Sequence, residues 1–265
     1  MKFISKATCC FLLAFVVSPC PPVTSFSAPN QIALSQPLTV KWRYQSDQTS
    51  NLTPVADGNT VYLPLSGGIL VALNAADGKL RWKAEAGGEF SAAPTADERG
   101  VYAATRYGDA TGNEAQIHGT LRALSKSTGV TLWMRTLPAP LAGSLVVGPT
   151  ALFAGGVDGR VYAFDKRTGL TLWINQYAER FSSQPLLSEN LLYLGSDDGT
   201  LFALDQSDGR QAWRYRTHGA IQGPIAVVSG TIYFGSGDGY VYAFSESRSK
   251  LLWRRRTGAA GRTRT

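Results

Sequence analysis

Ala163-Phe164-Asp165-Lys166-Arg167-Thr168-Gly169-Leu170-Thr171-Leu172-Trp173 ends on one of six tryptophans, and the distance from each tryptophan to the next decides the fold. The six are Trp42, Trp82, Trp133, Trp173, Trp213 and Trp253, separated by 40, 51, 40, 40 and 40 residues. A period of about 40–50 residues built from short strands marks a propeller or a solenoid array. Other positions keep the same phase. Ten residues before the last five tryptophans stand Ala72, Ala123, Ala163, Ala203 and Ala243. Four before them stand Gly78, Gly129, Gly169 and Gly209, and then Ser249, which breaks the pattern. The one long spacing is 11 residues longer than the others, and the extra residues fall roughly at Tyr107 to Gln116, just before Gly119.

Each unit reads as four antiparallel strands. In the fourth, Gln184-Pro185-Leu186-Leu187 begins the unit, and Leu191-Leu192-Tyr193-Leu194 follows. Ser196-Asp197-Asp198-Gly199 is a turn, with a glycine free to take φ > 0. Thr200-Leu201-Phe202-Ala203-Leu204 returns, and Gln211-Ala212-Trp213-Arg214-Tyr215 closes the unit. Central strands such as Val161-Tyr162-Ala163-Phe164 and Val241-Tyr242-Ala243-Phe244 are apolar at nearly every position, the mark of strands covered on both faces. Blades stacked around an axis give that cover. The alanine leaves room for a bulky neighbour. The tryptophan then docks on the adjacent blade, its N–H reaching a backbone carbonyl.

The segment Ala163–Trp173 resembles the A-x-D-x-x-T-G-x-x-x-W signature of the pyrroloquinoline-quinone (PQQ)-like β-propeller repeat. Ala203-Leu204-Asp205, Gly209 and Trp213 repeat it, while Asn74, Ser125 and Ser245 replace the aspartate in the other units. The resemblance covers about residues 38–257. It implies an all-β propeller of four-stranded antiparallel blades. About five blades are complete, with one extra N-terminal strand around Trp42 (Thr39-Val40-Lys41-Trp42-Arg43-Tyr44) and a ring left incomplete.

The chain has 265 residues, 44% hydrophobic and 17% charged, so it can bury a large core and does not read as disordered. Its net charge of +7 is unevenly placed. Seven of the 26 basic residues lie in 248–265, and Lys2 and Lys6 open the chain, leaving 17 basic against 19 acidic residues in between. A near-neutral body lacks the basic face that gripping nucleic acid requires. Residues 258–265 read as a basic disordered tail.

Residues 1–27 read as a secretory signal: Lys2 and Lys6, the apolar Ala7–Val17, then Pro19, Pro21 and Pro22, with Ser25-Phe26-Ser27 before the cleavage point. Residues 28–37 form a linker. Cys9, Cys10 and Cys20 all lie in the signal. Acylation at Cys20 is the competing reading, and Pro19 argues against it, because a lipoprotein signal takes a small residue there. An extracytoplasmic location, periplasmic or secreted, follows.

The resemblance raises a quinone cofactor. In the quinoprotein dehydrogenases of the superfamily, PQQ lies between a tryptophan and an adjacent-cysteine disulfide, with calcium held by carboxylates. The one adjacent pair here, Cys9-Cys10, falls in the signal. No catalytic, cofactor-binding or metal residue is therefore assigned. The Asp158-Gly159, Asp198-Gly199 and Asp238-Gly239 pairs read as hairpin turns rather than cation loops. His118 and His218 read as loop polar residues. The expected function is a non-enzymatic scaffold for protein partners, membrane-associated ones included, similar to the propeller lipoproteins of outer-membrane protein assembly. It would bind through loops and through strand addition at exposed or unclosed blade edges. The alternatives are a relative or remnant of a PQQ-dependent dehydrogenase and a ligand-sensing propeller.

Overall fold

The computed structural model describes residues 39–50, 52–108 and 117–257, and among them every regular element is a β-strand. Blade 1 holds β1 (Val55–Asp57), β2 (Thr60–Leu65), β3 (Ile69–Asn74) and β4 (Leu80–Glu85). Blade 2 holds β5 (Glu89–Ala96), β6 (Val101–Tyr107), β7 (His118–Leu124) and β8 (Thr131–Leu137). Blade 3 holds β9 (Leu141–Val147), β10 (Ala151–Gly156), β11 (Arg160–Asp165) and β12 (Thr171–Gln176). Blade 4 holds β13 (Leu186–Ser188), β14 (Leu191–Gly195), β15 (Thr200–Asp205) and β16 (Gln211–Arg216). Blade 5 holds β17 (Ala226–Val228), β18 (Thr231–Ser236), β19 (Tyr240–Ser245) and β20 (Lys250–Arg256).

Each blade is an antiparallel meander in sequence order. Blades 2 and 3 also touch through one parallel bridge between their first strands, Ala93 with Ser144, which links them into a single eight-stranded sheet. The core is a series of apolar layers between successive blades. One joins blades 1 and 2 through Tyr62, Leu70, Trp82, Val101 and Leu124. Others join blades 2 and 3, 3 and 4, and 4 and 5. No apolar cluster of the described residues joins blade 5 to blade 1. The outward layer of blade 1 (Leu65, Val71, Leu73) is covered instead by Trp42 and Tyr44. Residues 39–46 take part in no ladder among the described residues, so the expected N-terminal strand enters the fold through its aromatic side chains rather than by pairing.

Four of the six tryptophans hydrogen-bond to the following blade, whereas Trp253, in blade 5, is 42% exposed. Nε1 of Trp42, Trp82, Trp133 and Trp173 donates to the carbonyls of Ala75, Lys126, Lys166 and Gln206, at 3.0, 2.8, 3.2 and 3.0 Å. Each carbonyl lies seven residues before the next blade's own tryptophan. The ring lies flat on Gly78, Gly129, Gly169 or Gly209. A Cβ on Gly129 would meet the Trp82 ring at 2.6 Å, and its φ of +74° is one that side chains rarely adopt. The alanines ten residues upstream pair directly with the tryptophans across the ladder, as Ala72 with Trp82 and Ala123 with Trp133. Ala163, Ala203 and Ala243 do the same in blades 3 to 5, and all five alanines are buried. In every blade an aromatic side chain from the second strand (Tyr62, Tyr102, Phe153, Tyr193, Tyr233) packs on that blade's own indole, with centroids 5.7–6.1 Å apart.

The fifth unit departs from this rule. Four glycines close their turn with a bond to the carbonyl four residues back, for example Gly129 to Ser125 at 2.8 Å. Ser249 bonds only to Glu246, at 3.4 Å, and is itself held at φ +49°. Glu246 carries the carbonyl in phase with the other acceptors. The Trp213 Nε1 is buried and has no partner among the described residues. Trp213 therefore docks by ring contact alone, stacked on Phe244 at 6.0 Å.

An ionic clasp reinforces two junctions. Lys166 Nζ reaches Asp97 Oδ2 at 2.7 Å, both side chains nearly buried, and Glu98 at 3.2 Å. Lys126 pairs with Asp57 at the matching place one junction earlier, with both side chains 31% exposed. Burial pushes the Asp97 carboxyl up, but hydrogen bonds from Lys166 and from the backbone N–H groups of Arg99 and Gly100 win and hold it below the usual range. Burial pulls Lys166 down, and its bonds to Asp97 and Glu98 more than offset this, leaving it raised. The lysines sit seven residues before a tryptophan, where blades 4 and 5 have Gln206 and Glu246. Glu246 instead accepts from Tyr193 of blade 4, at 3.2 Å.

Gly129→Ala is expected to destabilise by roughly 2–5 kcal/mol, combining left-handed strain with overpacking. Gly223→Ala, where nothing lies within 4 Å, serves as the neutral control. Ser249→Gly is expected to stabilise by about 1 kcal/mol. Denaturant titration checks all three. Lys166→Met alone strands a buried carboxylate and is expected to cost about 3–5 kcal/mol, whereas Asp97→Asn with Lys166→Met falls short of the sum of the single effects. Because Asp97 is depressed when folded, its contribution is present above about pH 4 and is lost as pH falls through the lower folded value. Because Lys166 is raised, its share is complete below about pH 10 and is lost as pH rises through the folded value. Stability measured against pH should show both limbs in the wild type and shallower ones in the double variant, where Asp198, Asp205 and Asp238, also held low, and Lys126, also held high, supply what remains.

Candidate functional site

Three places gather polar groups. The first is an axial cleft of about 340 Å³ to which every blade contributes, through Val55, Thr95, Ser144, Gln184 and Gln222 among others. Its lining is small and neutral. Ser144 Oγ is buried and has no hydrogen-bond partner among the described residues. PQQ carries several carboxylates and works beside calcium, so a quinone site needs cationic and carboxylate side chains. The cleft's lining residues include neither, and no cluster of three His, Cys, Asp or Glu occurs among the described residues. The residues present do not fit the quinone–calcium pair.

The second place is the Asp-Gly turns, whose carboxylates are taken up by their own hairpins. Tyr162 donates to Asp158 at 2.7 Å and Tyr242 to Asp238 at 2.6 Å. Asp198 accepts from Ser196 Oγ and from the Thr200 N–H. Burial, then the Asp238 hydrogen bond, pushes the Tyr242 hydroxyl up to about 12. These carboxylates pin turns. His118 is exposed at the start of β7. His218 is exposed, and its backbone N–H, not its ring, bonds Asp238.

The third place is the base of the insertion. Residues 109–116 lie outside the described residues. The β6–β7 hairpin is paired out to Tyr107 with His118, so the inserted segment springs from a firm ladder. A cleft of about 630 Å³ opens there, lined by Gly67, Gly88, Glu89, Arg106, Tyr107 and Ile117. It adjoins a second hollow through Glu89 and Arg106. The Tyr107 hydroxyl donates to the Ala86 carbonyl at 2.8 Å and accepts from Arg122 at 3.1 Å. Gly87 makes room, since a Cβ there would strike the Tyr107 hydroxyl. Glu89 fastens the blade 1 turn by accepting from the Gly67 N–H at 2.9 Å. Arg106 and Tyr107 are exposed.

The sequence indicated this place only through the interrupted spacing. It missed the buried Lys166–Asp97 clasp. The trace was there: aspartates in phase in units 1 and 2, and lysines in phase in units 2 and 3. Among the described residues no helix is long and apolar enough to cross a membrane.

Comparison with solved structures finds BamB from Moraxella catarrhalis, with TM-score 0.67 and 23% identity over 81% of this chain and 64% of that one. The quinohemoprotein alcohol dehydrogenase ADHIIG from Pseudomonas putida HK5 follows at TM-score 0.65 and 15% identity, over 82% of this chain and 44% of that one. Sqt1 from Saccharomyces cerevisiae gives 0.59 and 14%, over 74% and 57%. The chain thus spans less than two thirds of the length of each. These likenesses are of fold. No curated protein matches the sequence. The family model described as outer membrane protein assembly factor BamB matches residues 32–117 and 117–265, which together span all five blades. With its indole-on-glycine blades and its phased repeats, the chain belongs to the PQQ-like repeat family of BamB.

Proposed function

We propose that the protein is a non-enzymatic, periplasmic scaffold that binds protein partners in the assembly of outer-membrane proteins. The observation that carries this reading is where the polar, exposed groups lie. Arg106, Tyr107 and Glu89 surround an open cleft at the inserted hairpin, outside the neutral axial cleft. An exposed cleft with an arginine and a tyrosine suits a protein partner, since these residue types dominate interface energetics. Strand addition is the weaker route. The outer strand of every blade skips one residue just before its tryptophan, at Arg81, Leu132, Leu172, Ala212 and Leu252, so each edge ladder is broken by a bulge. Docking by side chains and loops fits better.

The ligand-sensing alternative rests on the unpartnered Ser144 hydroxyl in the axial cleft.

Deleting the gene is expected to lower the level of outer-membrane β-barrel proteins. Arg106→Glu is expected to fail to restore it, while its thermal melting matches the wild type and its association with envelope partners weakens at least tenfold. Full restoration by Arg106→Glu would move the docking site elsewhere. Titration of the purified protein with PQQ and calcium is expected to leave the quinone spectrum unchanged; a saturating shift would favour the dehydrogenase alternative.

A further inference from the structure

The outer strands share a frame set by the tryptophan, and three exposed positions repeat in it: three before, one before and one after. In blade 1 they hold Lys79, Arg81 and Lys83. In blade 4 they hold Arg210, Ala212 and Arg214, and in blade 5 Lys250, Leu252 and Arg254. In blades 2 and 3 every one is aliphatic: Val130, Leu132 and Met134, then Leu170, Leu172 and Ile174. These six side chains are 43–64% exposed. Neither β8 (TLWMRTL) nor β12 (TLWINQ) contains an acidic residue.

The two aliphatic rows adjoin. Arg135 of β8 donates to the carbonyls of Thr168 and Gly169, at 2.7 and 2.9 Å, immediately before Leu170 starts the second row. The result is one aliphatic stretch across two neighbouring blade rims, with a basic row on the blade to each side.

We propose that this rim is a contact for a lipid surface bearing anionic headgroups. Charge complementarity selects the occupant: aliphatic groups enter the acyl boundary while Lys83 and Arg214, one on either side, meet phosphates, Lys79 and Arg210 being paired with Asp77 and Asp208. A protein hot spot would be expected to offer free aromatic or arginine anchors at its centre; here Trp133, Trp173 and Arg135 are already bonded to backbone carbonyls, and what is left exposed is Val, Leu, Met and Ile with Thr131 and Thr171. The bulges at Leu132 and Leu172 oppose the remaining occupant, an added strand, and push those leucines out of the ladder. This surface is distinct from the Arg106 cleft and does not rest on that site's role.

The test uses the full chain with vesicles of phosphatidylethanolamine and phosphatidylglycerol, against vesicles of phosphatidylcholine alone. Partitioning is expected to favour the anionic vesicles and to fall with salt. Leu132→Ser with Leu172→Ser is expected to weaken it at least tenfold, with an unchanged melting temperature. Lys83→Glu with Arg214→Glu should remove the preference for anionic vesicles while leaving the aliphatic row intact. Because the N-terminal apolar segment can itself meet lipid, a second readout is local. An environment-sensitive fluorophore on Leu172→Cys, in a chain with Cys9, Cys10 and Cys20 changed to serine, should shift to the blue on vesicle addition. Vesicle binding that neither pair of substitutions alters overturns the proposal, as does a label that stays in water on bound protein. Rim-dependent dimerisation or rim-dependent capture of a protein, without vesicle binding, overturns it in favour of that other occupant.

Discussion

An indole lying flat on a glycine of the next blade, with its N–H on a carbonyl of the same turn, is the contact from which the rest of this fold is built. It demands three things of the sequence at once: a tryptophan on the outer strand, a glycine with positive φ 36 residues later (47 across the insertion), and an alanine across the ladder to leave the ring room. Meeting all three at a fixed interval sets the blade length and the interblade distance together. The aromatic side chain from the second strand then fills the space behind each ring.

Function in such a molecule lies in the departures from that repeat. Where the units agree, side chains are committed to packing or to pinning turns, as with Asp158 and Asp238. Where one unit differs, a surface is released from that duty. The inserted hairpin of blade 2 frees Arg106 and Tyr107. The aliphatic rims of blades 2 and 3 differ from their basic siblings at positions that do not hold the fold. The axial cleft is shared by all blades and is neutral throughout.

The blades were legible in the sequence because their determinants are periodic and each has a single steric meaning. The strand boundaries of the fourth unit, the phased alanines and the glycine docking sites all follow from Trp213 and its siblings. Other features depend on pairing between blades. Lys166 and Asp97 lie 69 residues apart, and neither charge is unusual by itself. Their meeting depends on how one blade stacks on the next. The N-terminal segment shows the same limit. Its spacing implied a strand, yet the fold uses it through side chains, Trp42 placed on Gly78 and Tyr44 packed on the outward layer of blade 1. Ser249 was visible as an exception, but its effect on the Trp213 donor required the turn geometry.

The unmatched Trp213 nitrogen bears on how the molecule comes apart. Blades coupled chiefly to their nearest neighbours form a quasi-linear array, whose cohesion is the sum of its junctions. The junction between blades 4 and 5 lacks the indole hydrogen bond that the earlier ones possess, and it has no lysine–aspartate clasp of the kind found at the first two. Partial opening is therefore favoured there, with blade 5 separating as a unit while the other four stay docked.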